Sequence, residues 1–173
     1  YLWLYQTNFG NYGYFFDSFS HYTQPMYNFI SSQGLRMFFA QGQDTNASGF
    51  SGTNFNALKA YLNAKLSWDS TLDQTTLMSR FFKAVYGRAD KIMWKYYTAL
   101  RSFNYDMLMK NPPLINSRSI YNKVANRSYM PLASLRSLVA IIDEAQTYIT
   151  RDYYSEEEYN LYKYHIEAEA LFP

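Results

Sequence analysis

Two short runs near the start of the chain decide the fold, Leu2–Thr7 (LWLYQT) and Leu35–Ala40 (LRMFFA). Both are rich in the aromatic and aliphatic residues that are typical of β-strands. Between them, the apolar residues of Pro25–Ile30 (PMYNFI) follow the spacing of a helix, and Gly34 is a residue type that commonly ends one. A strand, a helix and a second strand, joined by a crossover of this length, predict two neighbouring parallel strands.

A parallel pair of strands is incomplete on its own. Parallel sheets are normally covered on both faces, and two strands cannot achieve this. We therefore expect further strands, from upstream sequence of the same protein or from a second copy of the chain. The chain also begins at Tyr1, with neither Met nor a signal peptide, directly in the strand-like run. We interpret it as the C-terminal piece of a larger protein.

The rest of the chain has the pattern of helices, and no strand pattern occurs from Asp69 onward. Ser155–Glu158 (SEEE) is a capping box that begins the last helix. The sequence thus predicts an α/β beginning and then an all-α helical bundle, mainly α overall. Residues 1–68 would form the first domain and residues 69–173 the helical C-terminal domain. Apolar residues at helical spacing predict helices in Asn54–Ser67, Leu77–Val85, Ile92–Met107, Leu135–Ile149 and Tyr159–Ala170.

The composition of the 173 residues excludes several classes of protein. The net charge is +2 and no long basic block occurs, so we expect no nucleic-acid partner. No apolar run approaches the about 20 residues that a membrane span requires. The chain has no Cys, and His21 and His165 are isolated, so we predict no metal site and no cofactor. His165 falls in the last predicted helix, where we expect it on the helix surface.

The unusual feature of the composition is an aromatic fraction of 20%. Aromatic rings ordinarily fill a core, but they also stack on the apolar C–H faces of sugar rings. The loops after the two strands add amide side chains, which both donate and accept hydrogen bonds. Because loops at the carboxyl ends of parallel strands commonly hold ligands, we predict a sugar-binding site formed by Tyr5, Asn8, Gln41, Gln43 and Asp44. Two ordinary polar loops are the alternative.

Catalytic acids are not expected in this chain. Glycoside hydrolysis usually needs two carboxylates about 5–10 Å apart. Before Trp68 the acids are Asp17 and Asp44, and the first Glu is Glu144. A glycosidase site without Glu would be unusual, so we predict no catalytic residue here.

An ordered set of motifs resembles one protein family. The set consists of Gln41-Gly42, Leu58–Asp69 (LKAYLNAKLSWD), Asp73, Phe81-Phe82 and Tyr86–Ala89 (YGRA). In this order the motifs resemble the domain-of-unknown-function family 4838, and the similarity runs through most of the chain. Members of this family look like glycoside hydrolases with a TIM-like barrel and a helical C-terminal extension.

The resemblance implies that Tyr1–Thr7 and Leu35–Ala40 are the last two strands of such a barrel, with its catalytic acids on earlier strands. The helix that carries Tyr61 and Trp68 would pack on the outside of the barrel, where both aromatic residues would serve packing. One departure from the family pattern is Arg80, which stands where an acidic residue commonly precedes the first Phe of the middle helix.

The residues and the resemblance together predict a C-terminal fragment of a carbohydrate-active, glycoside hydrolase-like protein. It would contribute part of a sugar-binding site but no catalytic acid, and it would be inactive alone. Its partners would be an oligo- or polysaccharide and the upstream part of the same protein. The family is common in polysaccharide-degrading bacteria, which implies a secreted, periplasmic or cell-surface location. The alternative is a non-catalytic helical module that binds a glycan or a protein.

Overall fold

The computed structural model describes residues 2–5, 23–35, 37–41, 54–110 and 131–170. Within these ranges the chain is mainly helical, with a two-stranded parallel sheet near its start. The residues group into two compact units, Tyr1–Arg80 and Phe81–Pro173. The elements are β1 (Leu2–Tyr5), α1 (Thr23–Ser32), β2 (Phe38–Gln41), α2 (Asn56–Trp68), α3 (Gln74–Tyr86), a 3-10 turn (Gly87–Ala89), α4 (Asp90–Lys110), α5 (Leu132–Thr147) and α6 (Glu156–Ala170).

The parallel pair that the sequence predicts is confirmed. β1 and β2 run in the same direction, with Leu2 opposite Phe38 at the start of the register. β2 begins later than expected, because Leu35 still belongs to the end of α1. The N–H of Leu35 bonds to the carbonyl of Ile30 at 3.2 Å, so this residue caps the helix and does not extend the strand.

The end of α1 follows from Gly34, as predicted. Gly34 has a φ of 64°, the left-handed region that favours glycine. Its N–H bonds to the carbonyl of Ser31 at 3.0 Å, and the N–H of Leu35 bonds to that of Ile30. These two bonds form a Schellman motif, which satisfies carbonyls that the last helical turn leaves without partners.

One face of the sheet is covered by α1. Tyr27 of α1 is only 2% exposed, and its ring packs edge-on against Phe38 with the centroids 5.2 Å apart. Its hydroxyl donates to Oδ1 of Asn63 in α2 at 2.9 Å. Burial raises the pKa of Tyr27 to about 12. This side chain therefore connects the sheet, α1 and α2.

The predicted apolar face of α2 is confirmed. Leu58, Leu62 and Leu66 are fully buried, since a spacing of four residues keeps side chains on one face of a helix. Burying a leucine side chain contributes about 1.5–3 kcal/mol. This row of leucines is the centre of the core of the first unit.

The starts of α1 and α3 are tied together by two glutamines. The backbone N–H of Gln24 donates to Oε1 of Gln74 at 3.0 Å, and the backbone N–H of Gln74 donates to Oε1 of Gln24 at 3.1 Å. Gln24 Nε2 also donates to the carbonyl of Leu72 at 2.7 Å. Each glutamine thus caps the helix that begins near the other, which satisfies backbone donors that helix starts leave open.

The four helices predicted after Asp69 are confirmed in the described residues, as α3, α4, α5 and α6. An aromatic cluster lies at the start of the second unit. The ring centroid of Phe82 is 5.0 Å from that of Trp94 and 6.0 Å from that of Tyr97. Met93 of α4, Ile142 of α5 and Ile166 of α6 are buried residues of the same unit.

The predicted capping box also forms. The side chain of Glu158 accepts the backbone N–H of Ser155 at 3.0 Å, and the hydroxyl of Ser155 accepts the N–H of Glu158 at 3.3 Å. The bonds from Ser155 hold the pKa of Glu158 below its usual range. A reciprocal cap of this kind fixes the first turn of α6.

The boundary between the two compact units falls inside α3, after Arg80. This boundary lies twelve residues after the predicted one at Trp68. The division into 1–68 and 69–173 stays a prediction, as does the assignment of β1 and β2 to a barrel.

Candidate functional site

β1 and β2 end side by side at one edge of the sheet. Their last residues, Tyr5 and Gln41, are partners in the parallel register. These are two of the five predicted sugar-binding residues, and strand pairing makes their backbones neighbours. The other three, Asn8, Gln43 and Asp44, lie outside the described residues. The binding role of all five stays a prediction.

The two faces of the sheet differ in what covers them. Tyr27 of α1 packs on the face that carries Phe38. On the opposite face, Trp3 and Phe39 are register partners whose rings meet edge-on at 4.7 Å. Trp3 is 55% exposed and Phe39 is 53% exposed. Successive side chains of a strand alternate between faces, so the face without α1 presents aromatic rings to solvent.

The described acids of the first unit, Asp69 and Asp73, have local structural tasks. Oδ1 of Asp69 accepts hydrogen bonds from the hydroxyl of Thr71 at 2.6 Å and from its N–H at 2.9 Å. Oδ2 of Asp73 accepts the N–H of Thr76 at 2.6 Å and so caps the start of α3. Hydrogen bonds from these threonines hold the pKa of both carboxyls below the usual range. The two acids shape a turn and a helix start.

The Tyr-Gly-Arg-Ala motif is a structural junction of the second unit. The hydroxyl of Tyr86 donates to Oε1 of Glu169 at 3.0 Å. Burial, together with the charge of Glu169, raises the pKa of Tyr86 well above its usual value. Gly87 has a φ of 53°, and the N–H of Arg88 donates to the hydroxyl of Tyr154 at 2.8 Å. These bonds attach the turn between α3 and α4 to the C-terminal part of the unit.

The expectation that His165 is a helix-surface residue is wrong. His165 is half-buried, and its Nδ1 lies 2.8 Å from the carbonyl oxygen of Val85. Because a carbonyl only accepts, Nδ1 carries the proton in this bond. Val85 lies in the last turn of α3, where carbonyls lack helical partners. His165 therefore closes the end of α3.

The packing role that the resemblance implies for Trp68, on the outside of a barrel, stays a prediction. Trp68 is the last residue of α2 and is 93% exposed, whereas Tyr61 is half-buried. Trp68 follows the buried Leu66 by two positions, which places it about 200° around the helix. It therefore points away from the leucine row that forms the core.

The pairing of Arg88 with Tyr153 was not predicted from the sequence. The guanidinium of Arg88 lies over the ring of Tyr153, 3.8 Å from its centroid. The two residues are far apart in the sequence and no periodic pattern connects them. Only the folded second unit brings them together, through the turn between α5 and α6.

The described part of the chain shows no metal-binding cluster of three His, Asp or Glu side chains. None of the helices in the described ranges has the length and apolar character needed to cross a membrane.

The fold is thus that of a mainly helical protein with a short parallel sheet near its start. A family model described as "Domain of unknown function (DUF4838)" matches residues 1–98, more than half of the chain. The chain belongs to this family. No curated protein and no solved structure matches the chain significantly.

Proposed function

We propose that the chain is the C-terminal part of a carbohydrate-active, glycoside hydrolase-like protein that is secreted, periplasmic or attached to the cell surface. It contributes part of a sugar-binding site, at the edge where β1 and β2 end, and the rest of the protein supplies the catalytic acids. In this proposal β1 and β2 are the last two strands of a TIM-like barrel.

The proposal is supported mainly by the unequal faces of the sheet. Parallel sheets are normally covered on both sides, and a two-stranded sheet is too small to be stable without such cover. Here α1 covers the face of Phe38, while Trp3 and Phe39 stay more than half exposed on the other. In a barrel with helices on the outside, the face opposite α1 is the interior. Further strands would bury both rings.

The ligand follows from the residue types at the strand ends. In barrels of this class the site lies at the carboxyl ends of the strands, which is where Tyr5 and Gln41 are partners. An amide can bond to sugar hydroxyls as donor and acceptor, and a tyrosine adds a ring face and a hydroxyl. Asn8, Gln43 and Asp44 follow the two strands in the sequence and would complete this part of the site.

The described acids of the first unit support a location of the catalytic acids elsewhere in the protein. In the described part of the first unit, Asp69 and Asp73 accept hydrogen bonds from their own turn and helix start. Neither therefore resembles the raised-pKa acid that protonates a glycosidic oxygen. We place the acid and its partner carboxylate on the upstream strands.

The test measures binding and turnover separately. Titration calorimetry with mixed plant and bacterial oligosaccharides should show binding that Gln41→Ala weakens about tenfold, the effect of losing one or two hydrogen bonds. Gln33→Ala is the matched control, since Gln33 is exposed after the end of α1, and it should leave binding unchanged. The 173-residue chain should release no reducing sugar, whereas the product of the complete gene should. Rapid turnover by the chain alone would refute the proposal that the rest of the protein supplies the catalytic acids.

The second candidate is a non-catalytic helical module that binds a glycan or a protein. It is favoured by the large exposed residues of the second unit, among them Tyr164 at 68% and Tyr153 at 62%. Binding that survives Gln41→Ala but is lost in variants of the second unit would support it over the site at the strand ends.

A further inference from the structure

The described part of the second unit contains two pairs in which an arginine guanidinium lies over a tyrosine ring. Arg151 lies over Tyr159 at 4.1 Å from the ring centroid, and Arg88 lies over Tyr153 at 3.8 Å. Both arginines are exposed. The distances from guanidinium to ring centroid are similar in the two pairs, so the partners of the two arginines can be compared.

The first pair is complete, because a carboxylate occupies the edge of its guanidinium. Nε of Arg151 donates to Oε2 of Glu156 at 2.8 Å, and a terminal nitrogen donates to Oε1 at 3.0 Å. This is the two-pronged pairing for which the planar guanidinium is suited. Glu156 thus shows what an arginine in this arrangement binds.

Among the described residues, no carboxylate occupies the same place in the second pair. Arg88 forms no ion pair with any acid of the described residues. Asp90, the nearest acid in the sequence, accepts the N–H of Lys91 at 2.8 Å. The guanidinium of Arg88 is therefore held in place by a ring with its hydrogen-bonding edge open.

The backbone segments that carry Arg88 and Tyr153 are held next to each other through Tyr154. The backbone N–H of Arg88 donates to the hydroxyl of Tyr154, and the ring of Tyr154 packs at 4.9 Å from that of Tyr162 in α6. Tyr153 is the chain neighbour of Tyr154, so both halves of the stack are anchored through one residue. Such ordering lowers the entropy that a ligand must overcome on binding.

We propose that Arg88 and Tyr153 form a binding site for a carboxylate-bearing sugar, such as a hexuronate unit of an acidic glycan. The guanidinium edge of Arg88 binds the sugar carboxylate as Arg151 binds Glu156. The exposed part of the Tyr153 ring, at 62% exposure, contacts the apolar C–H face of the pyranose. The choice of a glycan over an acidic peptide rests on the function proposed above, whereas the carboxylate follows from the two pairs alone.

The experiment compares three probes by titration calorimetry at low and moderate salt, namely trigalacturonate, neutral galactotriose and tetraglutamate. We expect trigalacturonate to bind the chain about tenfold more tightly than galactotriose, the scale of one charge-assisted two-pronged contact on an exposed surface. Arg88→Lys keeps the positive charge but removes the planar guanidinium that can bind a carboxylate with two hydrogen bonds. It should abolish most of the preference for trigalacturonate. Arg151→Lys is the matched control and should leave it unchanged. Circular dichroism and thermal unfolding verify that the variants fold.

The outcomes separate this site from the one at the strand ends. An acid preference that depends on Arg88 and persists in Gln41→Ala supports the inference, whatever happens to neutral sugars. Neutral binding that depends on Gln41, without acid preference, overturns the inference and leaves the proposed function standing. An acid preference that survives Arg88→Lys, equal or tighter binding of tetraglutamate, or no binding of trigalacturonate overturns the inference.

Discussion

Replacing Gly87 by alanine tests whether the turn between α3 and α4 is locked against Tyr154. The φ of 53° at Gly87 lies in the left-handed region, where a Cβ is unfavourable by about 1–2 kcal/mol. The added Cβ would lie 2.6 Å from the hydroxyl oxygen of Tyr154 and 3.3 Å from a ring carbon of Tyr162. The tyrosine hydroxyl must therefore move and lose its bond to the N–H of Arg88.

The expected destabilisation adds these two terms. Loss of a hydrogen bond costs about 0.5–1.5 kcal/mol, so Gly87→Ala should lower the free energy of unfolding by about 1.5–3.5 kcal/mol. Gly34→Ala is the matched control, because Gly34 has a similar φ of 64° but nothing lies within 4 Å of an added Cβ. It should show the backbone term of about 1–2 kcal/mol alone.

Urea titration gives the free energies, and amide hydrogen exchange read by mass spectrometry assigns each loss to its own unit. In a Tyr154→Phe background the clashing oxygen is gone, so adding Gly87→Ala should cost only about as much as Gly34→Ala. The reasoning is refuted if Gly87→Ala is no more harmful than Gly34→Ala, or if its effect is the same with and without the hydroxyl of Tyr154.

Three further predictions concern individual side chains. Leu62→Ala should destabilise the first unit by about 2–5 kcal/mol, whereas Trp68→Ala should change its stability by less than about 0.5 kcal/mol. Urea unfolding measures both. Equal effects would contradict the assignment of Leu62 to the core and Trp68 to the surface. Tyr27 has a folded-state pKa of about 12, above the usual 10.0, so the stability linked to its proton is present below pH 10 and is lost as the pH rises toward 12. Thermal unfolding from pH 8 to 11.5 should show that the Tm of Tyr27→Phe declines less steeply with pH than that of the unchanged protein. Parallel curves of Tm against pH would contradict this. Ser155→Ala should remove the cap of α6 and destabilise the protein by about 1 kcal/mol. Amide hydrogen exchange in the first turn of that helix should become faster. Unchanged exchange would show that the capping box is not needed.

The features that the sequence predicted well depend on neighbouring residues. Gly34 ends α1 because glycine alone adopts a left-handed φ without penalty. Ser155 caps α6 by accepting the backbone N–H of Glu158, and the carboxylate of Glu158 accepts the backbone N–H of Ser155. The parallel pair also followed from local length and composition, since a strand, a helix and a strand leave few alternatives. The start of β2 was misplaced because the Schellman bond of Leu35 belongs to the helix end.

The features that the sequence did not reveal depend on contacts between distant residues. The carbonyl of Val85 and the ring of His165 meet although 80 positions separate them, and no periodicity marks such a pair. The stack of Arg88 on Tyr153 has the same origin. The exposure of Trp68 in the described residues follows from its position two residues after Leu66, which turns it away from the leucine row of α2.

Two of the five residues of the predicted sugar site, Tyr5 and Gln41, lie in the described part of the chain. Strand pairing places Tyr5 beside Gln41, as expected for the ends of parallel strands. Asn8, Gln43 and Asp44 lie outside the described residues, so their part in the site stays a prediction.

The central claim is that β1 and β2 are neighbouring strands of a larger parallel barrel with a sugar site at their carboxyl ends. The most direct test is a crystal structure of the product of the complete gene, soaked with an oligosaccharide that binds it. The account predicts further parallel strands beside this pair, Trp3 and Phe39 buried in the barrel interior, and sugar density next to Tyr5 and Gln41. A sheet that remains two-stranded, with both rings still in solvent, would contradict it.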